Sequence, residues 1–157
     1  MWALGESAFH DFAGGKAIGP IQTVFLVRER SPRGVLDALR AGRMYALQRT
    51  RDASLELTEF GVSGAGTSAV SGETARVAPG TPLELTIAVD SPGGGRQDLR
   101  VALVRNGVVL GGWLGSTPYR LVHREVFDGA PLVFRLEVRG QGPRLVSNPI
   151  FVRRPSP

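Results

Sequence analysis

The sequence predicts a mainly β fold, an immunoglobulin-like antiparallel β-sandwich preceded by a small β-α-β segment. From residue 53 onward apolar residues recur at alternate positions, which is the period of a half-buried strand. Clusters of glycine and proline interrupt these stretches, and the chain holds 21 Gly and 11 Pro among its 157 residues. Many short strands between frequent turns favour a sandwich over a helical or α/β fold.

The first part of the chain predicts the β-α-β segment. Residues 1–20 predict a loop, and the β-branched and aromatic run at residues 21–27 predicts a strand. Ser31 suits a helix N-cap, Pro32 suits a first helical turn, and Gly42 suits the left-handed residue that follows a helix. We therefore expect a helix of about ten residues between these signals. A second strand is predicted from Met44 to Gln48.

The second part predicts seven or eight short strands. They are marked by Leu55/Leu57, Leu83/Leu85/Ile87/Val89, Val101/Leu103, Val108–Leu110, Leu121 and Val133/Leu136/Val138. Turns are predicted over residues 61–72, at 91–95 and at Asn106-Gly107, where both residue types tolerate positive φ in a hairpin. We place the domain boundary at Arg51-Asp52, which divides the chain into residues 1–51 and 52–157.

Composition excludes several classes of partner. The formal charge of +5 is spread along the chain, 7% of residues are aromatic, and Arg153-Arg154 is the largest basic block, so we expect no nucleic-acid partner. No apolar run approaches the ~18–20 residues that span a bilayer, so we expect no membrane partner. The absence of cysteine excludes disulfides and thiol catalysis and leaves the cellular compartment open.

Candidate metal ligands are few. The chain has only two histidines, and the one cluster of ligand-type residues is His10 with Glu6 and Asp11 as weaker candidates. His123 alternates with apolar residues and is interpreted as a solvent-facing strand residue. The run Gly61–Gly66 lacks the Lys-Ser/Thr ending of a phosphate-binding loop and is interpreted as a flexible turn. Nearby arginines of the helix region, Arg33, Arg40 and Arg43, are interpreted as a solvated face.

Several segments together resemble one family. The capped helix segment Ser31–Tyr45, the hairpin Leu103-Val-Arg-Asn-Gly107 and the closing segments Phe134–Val138 and Leu145–Val152 resemble the end of PHP-type metallohydrolases. These enzymes form the polymerase and histidinol phosphatase superfamily, and the likeness is to the subgroup with a C-terminal β-sandwich domain. It covers most of residues 21–152.

The resemblance implies that the β-α-β segment is the remnant of a barrel. In the family a Gly-x-Ser-Asp-x-His motif before the helix supplies metal ligands, and Gly5-Glu-Ser-Ala-Phe-His10 matches it with Ala8 in place of the aspartate. The His-x-His motif of the barrel is absent from this sequence. The likeness therefore implies a parent hydrolase with a divalent metal (Zn, Mn or Fe), while this chain carries no cofactor of its own and is not an enzyme by itself.

Three hypotheses follow. The chain is a non-catalytic C-terminal accessory domain whose catalytic N-terminal domain is missing in cis, or it is a free-standing β-sandwich module that binds a protein or glycan. The third is a small metal enzyme built on Glu6, His10 and Asp11. Residues 1–50 expose more apolar surface than one helix and two strands can hide, so we also expect self-association there as a two-fold homodimer.

Overall fold

The computed structural model describes residues 2–8, 10–11, 13 and 17–156, and strands dominate it. Within those residues there are twelve strands and one helix, so the chain is mainly β as predicted. In chain order the elements are β1 (Ile21–Phe25), α1 (Pro32–Ala41), β2 (Met44–Gln48), β3 (Glu56–Gly64), β4 (Thr67–Val70), β5 (Thr74–Arg76), β6 (Pro82–Asp90), β7 (Asp98–Arg105), β8 (Val108–Ser116), β9 (Tyr119–Val126), β10 (Leu132–Arg139), β11 (Arg144–Ser147) and β12 (Ile150–Arg153).

The strands form two sheets. The small sheet has the order β4-β3-β6-β9 and is antiparallel throughout. The large sheet contains eight strands centred on β10, with β7 and then β8 on one side. On the other side β11 and β12 share the edge of β10, and β2 with β1 extends the sheet beyond β11 while β5 pairs parallel with β12. The two-sheet arrangement confirms the predicted β-sandwich.

The core lies between the two sheets, where alternate side chains of each strand point inward. On β6 the predicted residues Leu83, Leu85, Ile87 and Val89 are all buried, as two-residue periodicity requires. Opposite them, β7 and β10 contribute their own buried rows. Burying one such side chain stabilises the fold by about 1.5–3 kcal/mol, so these rows hold the sheets together.

The helix has the predicted bounds. Ser31 is extended and its Oγ accepts a hydrogen bond from the N–H of Gly34 at 3.0 Å, which satisfies one of the free donors at the helix start. At the other end Gly42 adopts φ +73° and its N–H bonds back into the last turn, the geometry that favours glycine after a helix. Ala38 is the fully buried helical residue, and Val35 and Leu36 remain exposed.

The β-α-β segment is joined to the sandwich through main-chain hydrogen bonds. β1 pairs antiparallel with β2, and β2 pairs antiparallel with β11, whereas neighbouring strands of an α/β barrel run parallel. Tyr45 and Leu47 of β2 belong to the core between the sheets. Residues on both sides of the Arg51-Asp52 boundary therefore share one sheet and one core, and the division into residues 1–51 and 52–157 stays a prediction.

The largest error of the sequence analysis concerns residues 61–72. They do not form one long turn, because β3 continues to Gly64 and β4 begins at Thr67. The chain reverses direction at Ala65 and Gly66 alone. Their φ values of +48° and +76° are both positive, as a two-residue hairpin turn requires. Val62 and Ala69 are buried, which anchors both strands. The Asn106-Gly107 hairpin between β7 and β8 is confirmed.

Candidate functional site

The N-terminal strap, defined as residues 2–7, carries the start of the motif that resembles the family's metal-binding segment. Its candidate ligand Glu6 is exposed, and His10 and Asp11 beyond it are exposed as well. Across the described part of the chain, no group of three or more His, Cys, Asp or Glu residues could hold a metal ion. A metal at His10 with Glu6 and Asp11 therefore stays a prediction.

Asn148 holds the beginning of the strap. Its side-chain Oδ1 accepts a hydrogen bond from the N–H of Ala3 at 2.8 Å, and its Nδ2 donates to the carbonyl of Ala3 at 3.3 Å. The amide thus imitates the paired bonds of a neighbouring strand. Asn148 is 1% exposed and lies in the break between β11 and β12. The end of the sandwich therefore holds Ala3, which is 145 positions earlier in the chain.

The middle of the strap lies against β1. Thr23 Oγ1 accepts from the N–H of Gly5 at 2.9 Å and donates to its carbonyl at 3.0 Å, and Ser7 Oγ donates to the carbonyl of Ile21 at 2.9 Å. A Cβ atom at Gly5 would overlap the carbonyl oxygen of Gln22. The first glycine of the Gly-x-Ser pattern is therefore required by close backbone approach.

Trp2 fixes the strap to the helix and to β12. Its indole Nε1 donates to the carbonyl of Arg40 at 3.1 Å, in the last turn of α1. The ring lies 6.2 Å from that of Phe151 in a tilted arrangement, within the range of favourable aromatic pairs. Side chains or carbonyls from α1, β1, β12 and the β11–β12 break thus contact the strap.

Histidine 123 belongs to a second cluster, and its predicted solvent-facing position is wrong. His123 lies opposite Leu85 on β6, and its side chain is 25% exposed. Its Nε2 lies 3.3 Å from Oε2 of Glu125, which also accepts from Arg105 at 3.4 Å. Alternation along β9 explains the difference, because His123 shares the inward face with Tyr119 and Leu121, which pack against the core.

This second cluster is an ion-pair network between the sheets. Arg105 comes from the end of β7 in the large sheet, whereas His123 and Glu125 come from β9 in the small sheet. Glu125 contacts both Arg105 and His123, so its carboxylate links β7 of the large sheet to β9 of the small sheet. In the sequence, Tyr119 and Leu121 occupy alternate positions, and this alternation could have shown that His123 and Glu125 share their face of β9.

The predicted solvated arginine face is confirmed for two of its three members. Arg33 and Arg40 are exposed and pair loosely with Asp37. Arg43 is different, because it follows the helix, is mostly buried and lies 3.7 Å from Glu73. It joins the helix end to the turn before β5, which local helical periodicity does not reveal.

The two tyrosines have perturbed acidities. Burial raises the pKa of Tyr45 above its usual 10.0, the N–H of Leu57 lowers it by hydrogen bonding to the hydroxyl, and the charge of Glu56 raises it further. Burial also raises the pKa of Tyr119. Both hydroxyls therefore stay neutral at physiological pH; that of Tyr45 accepts a hydrogen bond from Leu57, and Tyr119 packs against the core.

Comparisons with protein-family models, curated proteins and solved structures found no match for this chain. Among the described residues, no helix has both the length and the apolar character needed to cross a membrane. The positions of the strap and of the sandwich around it are therefore the basis for the functional proposal.

Proposed function

We propose that the chain is the non-catalytic C-terminal accessory domain of a PHP-like metal-dependent hydrolase, with the catalytic domain joined in cis. The observation that supports the proposal is the attachment of the strap to the sandwich. Asn148 and Thr23 hold Ala3 and Gly5 through paired hydrogen bonds. The accessory domain would thereby fix the segment that, in the resembling enzymes, brings ligands to the metal.

Within the described residues no group of three or more His, Cys, Asp or Glu could hold a metal ion, which supports placing the catalytic metal centre in another domain. Ala8 stands at the position of the family's aspartate, and its methyl group offers no lone pair to a metal. His10 with Glu6 and Asp11 would be an exposed partial set, and a hydrolytic centre needs several converging ligands and an open coordination position. The remaining ligands, and the Zn, Mn or Fe ion they hold, would belong to the catalytic domain.

The hydrolytic activity of the isolated chain tests this assignment. We expect no metal-dependent release of nitrophenol from a nitrophenyl phosphodiester when Zn²⁺, Mn²⁺ or Fe²⁺ is added, because the ligand set is incomplete. His10→Ala and His123→Ala form a matched pair, since these are the only two histidines. Metal-dependent hydrolysis that His10→Ala abolishes and His123→Ala preserves would contradict the proposal.

A second candidate function is a free-standing module that binds a protein or glycan. A groove of about 360 Å³ favours it, lying between Ala3 of the strap and the Val104, Val133 and Arg135 side chains of the large sheet. Such a groove combines apolar walls with one cation, a combination suited to a peptide or a sugar. Like the accessory domain, a binding module would have no enzymatic activity. Unlike the accessory domain, it would need no catalytic domain in the same chain.

A further inference from the structure

The edge strand β8 differs from the other strand edges of the molecule. Within the described residues β8 hydrogen-bonds only to β7, so its second edge presents unpaired backbone donors and acceptors. The strand has nine residues, VVLGGWLGS, and none of them is charged. A long, uncharged edge strand is the kind that pairs with another chain.

The other edges are shorter, charged or covered. β4 and β5 have four and three residues, which limits pairing. β9 is as exposed as β8, but it carries Arg120, Arg124 and Glu125, and charges discourage edge-to-edge contact. The strap bonds to β1 at Thr23 and Ile21. These protections are missing from β8 in the part of the chain that the structure describes.

The side chains of β8 add apolar surface to its open edge. Leu114 is 78% exposed and Val109 is 59% exposed. Gly112 has open space beside it, whereas the rings of Trp113 and Tyr119 lie over Gly111 and Gly115. The register with β7 shifts between Leu103 and Val104, near the start of β8, so the strand from Gly111 to Ser116 offers a regular edge.

We propose that β8 pairs antiparallel with β8 of a second copy of this chain, about a two-fold axis at Trp113. This register places Leu114 of each copy opposite Gly112 of the other, a large side chain against a vacant position. Trp113 packs against the core of its own copy, so the rings stay on the inner face while Leu114 and Gly112 meet on the outer face. The pairing is independent of the proposed function.

Charge and symmetry support a second copy as the occupant. An unpaired edge is complementary to another extended strand, and β8 carries no charged residue, so no like charges lie opposite each other along the paired strands. Antiparallel pairing about a two-fold axis covers the open β8 edge of both copies, so the assembly contains two copies and no more. Because pairing of one strand buries little surface compared with an ordinary interface, the dimer is expected to be weak and dependent on concentration.

Sedimentation velocity across the micromolar to millimolar range tests the proposal. We expect the 16.8 kDa chain to convert from monomer to dimer as its concentration rises. Leu114→Lys should raise the dimer dissociation constant at least about tenfold, because it places a cation of each copy near the axis. Since Leu114 is largely exposed, the variant should melt at the same temperature as the unmodified chain.

Two control variants locate the contact. Val126→Lys changes another exposed apolar residue, 62% exposed, on the charged edge strand β9 and should leave dimerisation unchanged. Leu36→Lys changes the exposed face of α1, where the sequence analysis expected self-association. A chain that stays monomeric throughout the range, or a dimer that resists Leu114→Lys and is lost in Leu36→Lys, would overturn the β8 pairing.

Discussion

At the scale of single residues, Asn148 connects the two ends of the chain. One buried amide makes two hydrogen bonds to Ala3, and neither bond could be inferred from local sequence, because the partners are 145 positions apart. In the sequence Asn148 is one position of the closing segment Leu145–Val152, with nothing local to indicate its partner. His123 was misplaced because the polar character of a residue does not tell which strand face it occupies, whereas its apolar neighbours at alternate positions do.

The first prediction concerns Asn148→Ala. We expect the free energy of unfolding to fall by about 1–3 kcal/mol, because the backbone N–H of Ala3 loses its partner in a partly buried place. Amide hydrogen exchange at residues 2–7 should become faster, while exchange in β6 at the centre of the small sheet stays slow. Urea unfolding and exchange mass spectrometry measure the two effects.

Gln141→Ala is the matched control for this change, since Gln141 also carries a side-chain amide but makes its hydrogen bond to Asp98 on the exposed surface. It should alter neither stability nor exchange in the strap. Equal effects of the two substitutions would show that Asn148 has no special part in holding the N-terminal segment.

The second prediction follows from the raised pKa of Tyr45 and Tyr119, the only two tyrosines. The unfolded chain loses these protons near the usual pKa of 10.0, and the folded chain loses them only at higher pH. The contribution to stability is complete below pH 10 and is lost as the pH rises through the folded pKa values.

Ultraviolet titration of tyrosinate should therefore give midpoints above 10 in the folded chain and near 10 in urea. In Tyr119→Phe the remaining signal reports Tyr45, and in Tyr45→Phe it reports Tyr119. A midpoint at the ordinary tyrosine value in folded Tyr119→Phe would contradict the burial of the Tyr45 hydroxyl.

At the scale of elements, local signals predicted the helix and one hairpin well. Ser31, Pro32 and Gly42 determine the ends of α1 through short-range backbone geometry, and Asn106-Gly107 likewise determines a turn. The β3–β4 hairpin was missed because four glycines in residues 61–72 indicate turns wherever they occur. The antiparallel pairing of β1 with β2, and of β2 with β11, depends on contacts distant in sequence and was not predicted.

The third prediction tests how α1 contacts the sheet, by comparing Gly72→Ala with Gly80→Ala. Both glycines have left-handed backbones, with φ +86° and +84°, so both substitutions introduce the same conformational strain. A Cβ atom at Gly72 would also overlap the carbonyl oxygen of Ala41 at the helix end, whereas nothing lies within 4 Å of one at Gly80. We expect Gly72→Ala to cost about 1–3 kcal/mol more in unfolding free energy.

Chemical denaturation of the two variants measures the difference directly. Similar losses of stability in both would mean that the end of α1 does not lie against the turn at Gly72. A large loss in Gly80→Ala alone would contradict the open surroundings of that residue.

At the scale of the whole molecule, a sandwich of two sheets carries a strap at one end of its large sheet and an open strand, β8, at the other side of the same sheet. The sandwich itself was predictable, because apolar residues at alternate positions of a strand indicate that one face of the strand is buried. The proposed function was less accessible from the sequence, since its support comes from hydrogen bonds between residues that are distant along the chain. What the structure adds is the pair of hydrogen bonds between Asn148 and Ala3, and the pair between Thr23 and Gly5, which hold the strap against the sandwich.

The sequence of the gene upstream of the Met1 codon tests the central claim most directly. An accessory domain of a metal-dependent hydrolase predicts that the reading frame continues upstream and encodes a barrel with His-x-His and further carboxylate ligands, because those groups complete the metal centre that His10 alone cannot form. A stop codon in the same frame immediately before Met1 would contradict the claim and leave the free-standing binding module as the function.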